Sequence, residues 1–167
     1  MAIVALRSFP LAYHITLQAY GNWLPGDPRG WHARGDGART PPRPGNEVLH
    51  AISRERQRGP TVTIVELMAM VIMESIARIS RDRGWTIHLA VVVGSHLHVV
   101  VTAATPGVVV IGDIRSETTL QLVDRGLHDP AAPFWSAGGY FSVIRTAAQL
   151  ARAIEYVARH RTRRGGD

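Results

Sequence analysis

The sequence predicts a mixed α+β domain: a βαββαβ core with one helix added at its C-terminal end. Three observations predict it. Residues 13–20, 85–93 and 96–102 carry the apolar alternation or short apolar runs of strands, and 140–144 is a short fourth candidate. Residues 63–83, 111–127 and 147–161 carry helical periodicity. The 167 residues, 46% of them apolar, are enough for one domain with a sizeable core and no more.

The elements follow in order. In 13–20, Tyr13, Ile15, Leu17 and Ala19 face one way, and His14, Thr16, Gln18 and Tyr20 the other. Residues 21–60 are dense in Gly, Pro and Arg and read as a long loop, broken by a short helical turn near 47–56. Thr63 is the expected cap of the next helix, with Glu66 three residues on as in a capping box. Leu67, Met70, Val71, Ile72, Ile76 and Ile79 supply its apolar face, and Gly84 ends it. Two strands follow, joined at Gly94 and Ser95 as a hairpin. The next helix spans 111–127, Pro130 and Pro133 mark a loop, and Thr146 caps the last helix. Without that helix the order is the ferredoxin-like pattern.

Composition excludes several chemistries. The chain has no cysteine, hence no disulfide, thiolate metal site, iron–sulfur cluster or cysteine nucleophile. All 19 basic residues are arginine, so lysine Schiff bases and a Walker-type phosphate loop are excluded too. The net charge of +6 suits phosphate partners, which the guanidinium fork binds through two oxygens at once. The N-terminal ten residues do not read as a secretory signal, and no run approaches the roughly 20 apolar residues that cross a bilayer. A cytoplasmic location without a membrane partner is the expectation.

Two features point to chemistry. His96 and His98 alternate on a strand, so both imidazoles leave one face while Leu97, Val99 and Val101 enter the core. Such a pair suits a divalent ion, though the spacing alone equally suits two hydrogen-bonded sheet histidines. In the last helix Leu150, Ile154 and Val157 form the apolar stripe. Arg152, Tyr156, Arg159, His160 and Arg163 share another face at three- and four-residue spacing. Tyr156 therefore sits among cations, where a phenol can attack phosphorus, and His160 lies one turn beyond it.

These residues resemble the single-tyrosine transposases of the HUH endonuclease class, which includes the REP-associated and IS200-like transposases. The resemblance rests on Tyr13-His14-Ile15-Thr16, on the run from Gly21-Asn22-Trp23 through Asp27-Pro28-Arg29-Gly30, on Ser95-His96-Leu97-His98, and on the helix around Tyr156. It covers nearly the whole chain as one domain, 1–167. It implies that His96 and His98 hold Mg²⁺ or Mn²⁺, with His160 where the family often has glutamine, and that Tyr156 is the nucleophile. It further implies cleavage and rejoining of single-stranded, hairpin-forming DNA through a 5′-phosphotyrosine, and a homodimer. Arg152, Arg159, Arg163, Trp23 and Arg29 are the candidate DNA contacts; Trp31 and Trp135 are further stacking candidates, and Tyr140 is the alternative tyrosine. The helix after the histidine strand is less basic than the family's, carrying Asp113, Glu117 and Asp124. Two other readings stay open: a relative that binds structured single-stranded DNA without cutting, and a metal-binding domain acting on a small molecule.

Overall fold

The computed structural model describes residues 9–33, 36, 40–137 and 139–162. Its elements are β1 (Ala12–Gln18), α1 (Glu47–Glu55), α2 (Glu66–Arg83), β2 (Thr86–Val93), β3 (His96–Thr102), α3 (Gly107–Asp124), β4 (Tyr140–Ile144) and α4 (Ala147–Thr162). The strands form one four-stranded antiparallel sheet in the order β2-β3-β1-β4. β2 and β3 are the expected hairpin, with Val93 opposite His96. The architecture is mixed α+β, with helices flanking a central antiparallel sheet.

Strand alternation sorts the side chains onto two faces. Tyr13, Ile15 and Leu17 of β1 and Leu97, Val99 and Val101 of β3 enter the larger core, against Val71, Ile72 and Ile76 of α2 and Val110, Ile114 and Leu122 of α3. On the opposite face Ala12, Val91, Val100 and Ile144 receive Val157 of α4. Each Val, Leu or Ile side chain among them contributes roughly 1.5–3 kcal/mol by leaving water. α4 covers only the apolar part of this face, and the remainder of β1 and β3 there is polar.

Several expected boundaries shift for tertiary reasons. Tyr20 packs with the larger core and not with His14, because β1 ends at Gln18 and Val62 N donates to the Tyr20 carbonyl. Thr63 does not cap α2. Ile64 N donates to the Gly94 carbonyl, the chain stays extended through Val65, and the helix starts at Glu66. Leu67 and Met70 are exposed, and Ala69 takes their place in the core. α3 starts four residues before its expected start, after Pro106, whose carbonyl accepts from Val109 and Val110. Gly107 sits there against Phe141, whose ring a Cβ would meet at 2.7 Å.

The long loop folds on itself. Asn46 caps α1, its side chain accepting from Leu49 N, and its own N–H donates to the Gly26 carbonyl. Gly26 has φ +85°, and a Cβ there would lie 2.5 Å from backbone atoms of Asn46 and His50, so both conformation and space demand glycine. Among the described residues no helix is long and apolar enough to cross a membrane.

Candidate metal centre

β3 delivers His96 and His98 to the α4 side of the sheet, opposite Gln18 and Thr16 of β1. His14 of β1 shares that face. α4, anchored by Val157, brings Tyr156 and His160 over it. The ring centroids are 4.7 Å apart for His96 and His98, 4.5 Å for His98 and His160, and 5.8 Å for His96 and His160. Tyr156 lies 4.8 Å from His160, 5.9 Å from His98 and 5.7 Å from His14. One chain thus gathers four imidazoles and a phenol.

The hydrogen bonds engage Nδ1 of each of the three rings. His160 Nδ1 donates to the Tyr156 carbonyl at 3.0 Å, which leaves Nε2 with its lone pair in the neutral ring. His96 Nδ1 lies 3.0 Å from Ser95 Oγ. His98 Nδ1 lies 3.1 Å from both His14 Nε2 and Thr16 Oγ1. His98 Nε2 is buried and has no protein partner. A buried polar atom without a partner is costly, and coordination would satisfy it. One candidate ligand atom from each of His96, His98 and His160 lies within 4.8 Å of the other two. Nitrogens roughly 2.1 Å from a shared ion sit closer than that, so ring rotations of about an ångström would close the set.

Burial, with repulsion from neighbouring rings second, keeps His14, His96 and His98 neutral. Desolvation, then the nearby His160, lowers His96 to about 4. Desolvation, then His96, His14 and His160, lowers His98 to about 3. His14 is lowered as well, by desolvation first and His160 second. Neutral imidazoles present lone pairs at physiological pH with little proton competition.

With this geometry in view, the comparisons with known proteins concern the fold. The structure of a REP-associated tyrosine transposase bound to a REP hairpin superposes with a TM-score of 0.56 at 12% identity, over 99% of this chain and 75% of that one. The crystal structure of a presumptive transposase from Deinococcus radiodurans R1 gives a TM-score of 0.49 at 11% identity, over 95% of this chain and 97% of that one. No family profile and no curated protein matches the sequence. At 12% identity the likeness to the REP-associated transposase is one of fold alone.

The histidine cluster is capable of coordinating a metal ion. An all-imidazole set suits later transition metals best; of the two expected ions, Mn²⁺ accepts nitrogen donors more readily than Mg²⁺, though both favour oxygen ligands.

The other expected site residues lie outside this cluster. Arg152 and Arg159 are exposed on α4, and Arg159 Nε donates to the Glu155 carbonyl at 3.4 Å. Arg163 lies outside the described residues. Trp23 and Arg29 engage each other. Trp23 Nε1 donates to the Gly30 carbonyl at 2.7 Å, and the Arg29 guanidinium lies 5.0 Å from the Trp23 ring centre while bridging both Asp27 oxygens. Trp31, Arg43 and Asp36 repeat the pattern. Trp135 is no stacking surface: it is 4% exposed, donates to Thr118 Oγ1 and packs on Phe134. Tyr140 stands two strands from His98, opposite Thr16. Two of the three acids of α3 turn to α2, where Asp113 pairs with Arg83 and Glu117 with Arg78. Sequence reading gave His14 no role. Its alternation with Thr16 was visible, but its place beside His98 depends on the pairing of β1 with β3.

Proposed function

We propose that the chain is a single-tyrosine, HUH-type DNA strand transferase on a ferredoxin-like core, cutting and rejoining single-stranded, hairpin-forming DNA. The observation that carries this reading is the placement of Tyr156 against His98, His160 and His14 of its own chain. The antiparallel order β2-β3-β1-β4, with a helix crossover between β1 and β2 and another between β3 and β4, supports the core assignment.

His96, His98 and His160 would hold Mn²⁺, or Mg²⁺ more weakly. When bound, the ion supplies Lewis-acid polarisation of the scissile phosphate. Tyr156 Oη attacks phosphorus in line, the bond from phosphorus to the 3′ oxygen breaks, and the phenol proton ends on that oxygen. The products are a 5′-phosphotyrosine and a free 3′ hydroxyl. The phosphodiester energy is retained, so the reverse attack rejoins the strand without ATP.

Arg152 and Arg159 line the phosphate path along α4, and Arg163 is a further candidate contact from the sequence alone. Trp23 keeps an exposed ring face for a base, with Arg29 holding the ring in place. His96, His98, His160 and Tyr156 meet within one chain, which supports a reading in which the tyrosine acts on its own chain's histidines.

The test is incubation with labelled single-stranded hairpin DNA and Mn²⁺. A covalent protein–DNA band should form, and it should vanish in Tyr156→Phe and in His98→Ala. Tight DNA binding with no covalent band under any divalent ion would instead support a non-cutting relative.

A further inference from the structure

The polar part of the α4-side face holds one imidazole that the proposed chemistry does not use. His14 Nε2 lies 3.1 Å from His98 Nδ1, and the His14 ring also meets Tyr156 at 5.7 Å. Resting on the metal reading above, we infer that His14 is a positioning residue, which fixes His98 for coordination and walls the tyrosine on its other side.

The argument starts from the proton count on His98. Its Nε2 is the buried atom without a partner, while Nδ1 is engaged by His14 and Thr16, so Nε2 is the nitrogen left for an ion. To coordinate, Nε2 must offer a lone pair, so in the neutral ring Nδ1 carries the hydrogen. That hydrogen needs an acceptor. Two stand at 3.1 Å, His14 Nε2 and Thr16 Oγ1, both carried by β1 and both set by the register that pairs Thr16 with His98. A threonine hydroxyl can serve either tautomer, because it donates as readily as it accepts. His14 Nε2 accepts only when its own proton sits on Nδ1, and in that form it selects the tautomer that leaves His98 Nε2 free. Partners of this kind raise ligand basicity and hold ring orientation. The same ring lies at edge-to-face angle to Tyr156, 64° between planes, so the group that orients the ligand also limits where the phenol can swing.

Manganese titration by calorimetry of the whole chain tests this. Three proteins are compared, with thermal unfolding of each in the absence of metal as the folding control. His14→Phe keeps an aromatic ring and removes the acceptor. His14→Gln places an amide oxygen near the position of Nε2. We expect His14→Phe to bind Mn²⁺ about tenfold more weakly or worse. His14→Gln should restore affinity to within about threefold of the parent, while both variants unfold near its temperature. Unchanged affinity in His14→Phe overturns the inference. Equal weakening in both variants also overturns it, because the contact would then be packing alone. If the parent protein takes up no Mn²⁺, the metal reading itself fails and this role fails with it.

Discussion

In the proposed site, the choice between an imidazole and a carboxamide at His160 would set which ion the cluster prefers. His160→Gln exchanges a nitrogen donor for an oxygen donor. It should weaken Mn²⁺ binding by about tenfold while narrowing the preference for Mn²⁺ over Mg²⁺, both read by calorimetry. An unaltered ratio would place His160 outside the coordination set. Asp27 offers a second test at this scale. Its buried carboxylate is held at about 2, first by the side-chain hydrogen bond from Arg29. A depressed carboxylate stabilises the fold above its unfolded value near 3.8, and that contribution is lost as pH falls from there through about 2. Trp23 fluorescence should therefore report loosening of this loop over that window, and Asp27→Asn should flatten the change while lowering stability at neutral pH. The pair His96 and His98 was legible in the sequence because a two-residue period needs no knowledge of neighbours. His14 was not, because its role comes from a contact made 84 positions away.

At the scale of elements, α4 connects packing to chemistry. Thr146 Oγ1 accepts from Gln149 N, and Val157 is the buried residue that seats the helix on the sheet. Thr146→Ala should cost about 1 kcal/mol by chemical denaturation. Val157→Ala should cost on the order of 2 kcal/mol and should reduce covalent complex formation even at temperatures where the protein stays folded, because Tyr156 is its immediate neighbour. Activity that tracks only the folded fraction would separate the helix seat from the site. The apolar stripe and the cap of α4 were readable because they are local. The starts of α2 and α3 were not. An extended segment tied to Gly94 delays one, and the Pro106 carbonyl with the tight Gly107–Phe141 contact advances the other past β-branched residues that weaken a helix.

For the whole molecule, charge is divided between the two faces. Arg78, Arg83 and Arg125 on the α2–α3 side are paired with Glu117, Asp113 and Glu74. Alanine at Arg78 or Arg83 should change stability by about 1 kcal/mol or less and leave DNA affinity alone. Arg152→Ala should weaken DNA binding and lower the slope of affinity against salt by about one unit. The α+β class and element order were legible from periodicity, whereas the sheet order and the convergence of β1, β3 and α4 on one centre required the fold. The most direct measurement is mass spectrometry of the covalent DNA complex after trypsin and nuclease digestion. Cleavage after arginine places Tyr156 in the peptide 153–159, with no other tyrosine, and Tyr140 in 126–145. A phosphonucleotide on 153–159 is the predicted result; one on 126–145 would contradict the assignment of Tyr156.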